Sequence, residues 1–209
     1  YIILANIEYF YSAHSGFAYL GSARFMEIAA ADGREIVHKP FDLYVAMEAV
    51  DAKSFRDRNP ALRSYMFREI QRWSEYRGAP VMDGRPTYHD NDTALSNCML
   101  VAGVMRGENI DRLAHVLLEA HWRDDADLAD RGTLLALGNS VGMDAEALLT
   151  EAETQEVRSQ FQINTREAVE RGVFGSPTYF VDGERYFGQD RLEIIEHALK
   201  HPFSRAPQS

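Results

Sequence analysis

A serine between a strand and a helix is the residue in this chain best placed to do chemistry. Ser15 closes the break Ser12-Ala-His-Ser-Gly16, which follows the apolar run Ile7-Glu-Tyr-Phe-Tyr11 and precedes a helical pattern from Phe17. Two uses of its hydroxyl compete there. Serine is a preferred helix N-cap, because its oxygen accepts an orphan N–H of the first turn. The same N–H groups, with the positive end of the helix dipole, stabilise an anion that arrives there. If the anion is a thiolate, the hydroxyl donates to it and lowers the thiol pKa. Cysteines at helix N-termini show the scale, from about 8.5 down to roughly 3.5–7.5. Here the sulfur has to come from a cofactor. Cys98 is the single cysteine, and exchange chemistry needs an attacking and a resolving thiol. In the helical pattern 93–105 Cys98 reads as a small buried hydrophobe.

The second chemical feature lies near the other end, in Gly175-Ser-Pro-Thr178. Pro177 stands at the start of an apolar run, where no ladder hydrogen bond needs its missing N–H. A cis Ser176–Pro177 bond would turn the Ser176 backbone outward, toward an extended ligand rather than the sheet. Cis is the minority form, roughly 5–6% of X-Pro bonds in folded proteins. Weaker candidates surround these two. His14 adjoins Ser15, either as a second donor or base near the sulfur or as an exposed loop residue. Arg85, Pro86, Tyr88 and His89 form a polar loop that either lines a pocket for an aromatic acid or is a solvated turn. Asp190 follows Gly188 and Gln189, at the start of the last helix, as a helix cap, an ion partner or both. His115 and His121 are six apart and do not share a helical face, and no spacing of His, Cys and carboxylates suggests a metal site.

Positioning these residues requires a mixed fold. Residues 2–11 read as a buried strand, 17–31 as a helix stopped by Gly33, and 35–41 as a second strand, which makes a βαβ unit. Residues 178–181 and 184–187 read as a hairpin turning on Asp182-Gly183. Between them the chain is helical in pattern, with segments expected at 60–77, from a cap at Asn91 or Asp92 to 105, and at 110–122, 133–137, 144–150 and 154–171. Residues 81–90 read as a loop. This is an α/β chain whose β-rich ends, 1–42 and 172–209, form one discontinuous domain around an inserted helical domain, 43–171. The net charge of −10 and pI near 5.2 argue against a nucleic-acid partner. No stretch is apolar enough to span a bilayer and no basic-headed signal is visible, so no membrane partner and a cytoplasmic location are expected. The first residue is Tyr1 rather than Met, which leaves a processed or trimmed N-terminus open.

Ser15-Gly-Phe-Ala-Tyr-Leu20 after its strand is similar to the Ser-Pro-Phe-Ser-Tyr-Leu element of 2-hydroxychromene-2-carboxylate isomerases and kappa-class glutathione transferases. Gly-Ser-Pro-Thr, the hairpin and Gly188-Gln-Asp-Arg-Leu192 resemble the C-terminal half of a thioredoxin-like fold of the DsbA type. The resemblance runs over nearly the whole chain and includes the helix end Gln71-Arg-Trp-Ser-Glu-Tyr-Arg-Gly-Ala-Pro80. It departs at Gly16, where the family has proline. What the resemblance implies is a thioredoxin-like fold with a large inserted all-helical domain, a cis Pro177, and glutathione as the cofactor, its sulfur held by Ser15. It further implies that Ser176, Pro177, Gln189 and Asp190 bind glutathione, with Asn59 and Arg63, near Arg58, toward its glycyl end. His14, Tyr88 and His89 are then left for a small-molecule aromatic acid substrate. The implied activity is a glutathione-dependent cis–trans isomerisation. A kappa-like transferase acting on another electrophile and a non-catalytic thioredoxin-fold peptide binder are the alternatives. A homodimer is compatible with the family, though no interface stands out in the sequence.

Overall fold

A computed structural model describes residues 6–53 and 57–204. Strand β1 (Ile7–Tyr11) runs into helix α1 (Gly16–Ala31), which crosses over to strand β2 (Ile36–Pro40), parallel to β1. The part of the expected first strand at 2–5 lies outside the described residues. After the helical segment come β3 (Thr178–Val181) and β4 (Glu184–Phe187), antiparallel to β1 and to each other respectively, so the sheet order is β2-β1-β3-β4. The hairpin turns where it was expected. Asp182 and Gly183 both have positive φ, 50° and 86°, as a two-residue turn matched to strand twist requires.

The helices between β2 and β3 are α2 (Leu43–Glu48), α3 (Pro60–Arg77), α4 (Ala94–Met105), α5 (Asp111–Arg123), α6 (Arg131–Ser140), α7 (Ala145–Ala152) and α8 (Gln155–Glu170). Sequence periodicity missed α2. It is six residues long and exists because the Asp42 carboxylate accepts from the amides of Tyr44 and Val45, a cap rather than a pattern. Helix α6 is longer than the expected 133–137. Asp130 caps it, and Gly132 and Gly138 dilute its apolar signal. Gly138 packs against Met99 and Ala145. Asp92 does accept from Ala94 N at the start of α4, while Thr93 is the capping position and its side chain makes no capping bond. Gln189–Arg191 form a single 3-10 turn ahead of the last helix, α9 (Leu192–Lys200), so Asp190 is not a side-chain cap.

One continuous apolar cluster joins the sheet to the helical segment. It takes Ile7, Tyr9 and Tyr11 from β1 and Phe25 and Ile28 from α1, and continues into Leu100 of α4, Leu113 and Leu117 of α5 and Leu148 of α7. Tyr9 stacks between Tyr11 and Tyr179, with centroids 4.1 and 5.4 Å away. This packing anchors the end of β1, which sets the position of the turn that follows it. Among the described residues no helix is long and apolar enough to cross a membrane.

Candidate active site

Ser15 sits where β1 hands over to α1, and its hydroxyl makes two bonds. Oγ accepts from Ala18 N (3.2 Å) and donates to the carbonyl of Ser176 (3.1 Å). Capping is therefore real, and the hydroxyl proton is still aimed at a neighbour it can leave by rotation about the C–O bond. The Ser176–Pro177 peptide is cis. The Ser176 Oγ accepts from Ser12 N (3.1 Å), which ties the proline loop to the turn before α1. Asn97 of α4 fixes that turn from behind. Its Oδ1 accepts from Ala13 N (3.0 Å), and its Nδ2 donates to Ser12 Oγ (3.3 Å).

A cavity of about 210 Å³ opens at this junction, lined by Ser15, Gly16, Phe17 and Ser176. Its apolar wall includes Leu43, Met47, Met66, Phe67, Phe174 and Phe187. The amides of Gly16, Phe17 and Ser176 make no hydrogen bond among the described residues, so backbone donors and one hydroxyl face a mostly apolar space. Arg58 also reaches the cavity. Its guanidinium contacts Lys53 O and the Met66 sulfur and has no carboxylate partner among the described residues. A larger cavity, about 670 Å³, lies between α2, α4 and α8 and contains Cys98 but none of these groups. Chemistry rather than volume marks the smaller one as the site. Burial pushes the Cys98 thiol up to about 11, which leaves it protonated and unreactive.

Two histidines, His14 and His89, line one wall, and a third, His121, stands behind His89. His14 is buried rather than exposed, with Nδ1 2.9 Å from Ser12 Oγ and its ring 4.9 Å from that of His89. His89 Nδ1 lies 2.9 Å from His121 Nε2, and His121 Nδ1 lies 2.9 Å from Ala126 O. Burial pushes the pKa of His14 down to about 4 and of His89 to about 2, and lowers His121. All three are neutral at pH 7.

Of the expected site residues, the structure brings Ser15, Ser176, His14 and His89 together, and Arg58 and Arg85 with them. Pro177 stands behind Ser176, where its carbonyl accepts from Gly188 N. Others lie off the cavity wall. Tyr88 is exposed, and Asn59 caps α3 through Ala61 N. Arg63 lies one turn further along α3 and is not among the lining residues. Gln189 is buried, its side chain and carbonyl held by Arg77 (3.1 Å each). Asp190 pairs with Arg191 at the surface. Sequence reasoning missed Asn97, Trp122 and the link from His121 to the site. Trp122 Nε1 donates to His14 O (2.9 Å), and the indole lies so close to Gly16 that a Cβ there would sit 2.6 Å from it. The one available signal was Gly16 itself, where a small residue stands in place of proline.

This geometry belongs to a known class. The model of the DsbA-like thioredoxin domain family matches residues 6–200, and the chain belongs to that family. It is 27% identical over 198 residues to the 2-hydroxychromene-2-carboxylate isomerase of Sphingobium xenophagum, covering 93% of this chain and 97% of that one. The isomerase of the same name from Pseudomonas putida is also 27% identical over 198 residues, covering 92% and 93%. Glutathione S-transferase kappa 1 of Rattus norvegicus is 31% identical over 99 residues, 44% of each chain. Among solved structures, a 2-hydroxychromene-2-carboxylate isomerase superposes with a TM-score of 0.79 at 23% identity, covering 93% of this chain and 94% of that one. The cytosolic disulfide reductase DsbM of Pseudomonas aeruginosa with GSH gives 0.60 at 20%, covering 95% and 94%. These superpositions support the thioredoxin-like fold.

Proposed function

We propose that the chain is a glutathione-dependent cis–trans isomerase of a conjugated aromatic acid, of the kind its isomerase relatives are named for. The observation that carries this reading is the arrangement at the start of α1. There the Ser15 hydroxyl and the unpaired amides of Gly16 and Phe17 converge on a cavity with apolar walls. That donor set fits a thiolate, and the protein has no reactive thiol of its own there. When bound, glutathione would supply a nucleophilic thiolate able to add reversibly to a conjugated double bond and so release it to rotate. Ser15 keeps its bond from Ala18 N throughout and turns its proton from the Ser176 carbonyl to the sulfur. In this reading the free Ser176 amide holds the ligand's backbone. Phe174, Phe187 and Phe67 exclude water from the conjugated system, and Arg58 offers its charge to a carboxylate.

The kappa-class relative favours a second reading, transfer of glutathione to an electrophile by the same sulfur site. Calorimetric titration with glutathione tests what the two share. Binding with proton release near neutral pH is the expected result, and no binding would sink both. A panel of chromene acids and generic electrophiles then separates isomerase from transferase.

A further inference from the structure

The contacts behind the histidine wall specify a tautomer. The Ala126 carbonyl can only accept, so His121 Nδ1 must carry a proton. A neutral His121 then presents Nε2 as an acceptor, and the 2.9 Å contact makes His89 Nδ1 the donor. A neutral His89 is left with the lone pair on Nε2. His89 lines the cavity that holds Ser15, so an uncharged ring with its lone pair on Nε2 belongs to that wall.

We infer that His89 accepts a hydrogen bond from a hydroxyl on the aromatic ligand, and that His121 is the positioning residue that sets His89 in its accepting form. The ligand class is a hydroxyaryl acid: the ring meets the apolar wall, the hydroxyl meets His89 and the carboxylate meets Arg58. The inference rests on the isomerase reading for the ligand's role, while the tautomer follows from the two contacts together with neutral His121 and His89 rings. The surrounding charges suit an uncharged imidazole. Burial disfavours protonation of His89 most, and the Arg85 guanidinium adds to it, partly offset by its partner Asp90. Asp125 and Asp127 act on His121 from the loop after α5 without reversing the effect of burial. His89 is thus an acceptor and not a store for a proton.

The test is nitrogen NMR of the histidine rings in the ligand-free protein, combined with binding of 2-hydroxycinnamate and cinnamate. The expected result is His89 with Nδ1 protonated and Nε2 bare from pH 6 to 8, and roughly tenfold tighter binding of the hydroxylated acid, about one hydrogen bond's worth. His121→Leu should mix the two tautomers and erase that preference. His121→Gln, which returns a carbonyl acceptor to His89 Nδ1, should restore it. A proton on His89 Nε2 in the unaltered protein would overturn the inference, as would equal binding of the two acids. An unchanged His89 tautomer in His121→Leu would overturn the positioning role. None of these spectra needs glutathione, so failure of the cofactor reading is read separately, from the glutathione titration.

Discussion

Ser15 does two jobs with one oxygen, because a hydroxyl accepts and donates through different directions. Accepting from Ala18 N fastens the first turn of α1, while the proton on Ser176 O is free to be redirected. Replacing Ser15 with alanine removes both. Loss of the cap costs about 1 kcal/mol of stability. Loss of a donor to a charged sulfur, about 1.5–3 kcal/mol, raises the bound thiol pKa by roughly one to two units. Ultraviolet titration of the thiolate in the glutathione complex should show that rise, with turnover at neutral pH falling and most glutathione affinity retained. An unchanged thiol pKa would remove Ser15 from the sulfur site. At this scale the sequence exposes what is local: Ser15 and Ser176 each sit in a short motif with recognisable neighbours. Asn97, His121 and Trp122 act on the site from α4 and α5, more than eighty residues from Ser15. Their helical positions read as ordinary core, so only packing shows what they touch.

At the scale of elements, α1 is placed by what leans on its start. Trp122 reaches from the end of α5 to cover Gly16 and hold the His14 carbonyl. The indole is buried and held by its bond to the His14 carbonyl, so a methyl at position 16 would have to displace it. Gly16→Ala should therefore destabilise the fold by about 1–3 kcal/mol, the range for overpacking, although alanine is the better helix former. Chemical denaturation measures it. A stabilised variant would show that Trp122 does not hold this position. The βαβ unit and the hairpin were legible because strand composition, the Gly33 stop and Asp182-Gly183 all act within a few residues. Helix α2 was not legible, because a six-residue helix held by one cap carries no periodicity to read.

For the molecule as a whole, the histidine wall sets how stability responds to acid. Burial lowers the folded pKa of His14, His89 and His121 below the value near 6.5 of an unfolded chain. Below pH 6.5 the unfolded state therefore binds protons that the folded state refuses. The stabilisation is fully present above pH 6.5 and drains as pH falls, until about 4 for His14 and about 2 for His89. Each such histidine contributes a slope of up to about 1.4 kcal/mol per pH unit within its window. Carboxylates act later. The Arg77 guanidinium holds Glu193 below its ordinary value, so that contribution is lost only as pH falls through the carboxylate range. The fold should thus begin to weaken between pH 6.5 and 5. Urea midpoints measured at pH 7.5, 6 and 5 should fall, and His89→Gln should flatten that decline. A midpoint flat from 7.5 to 5 would mean that these imidazoles take up protons inside the folded protein, and that the wall facing Ser15 is wetter and more open than its packing implies.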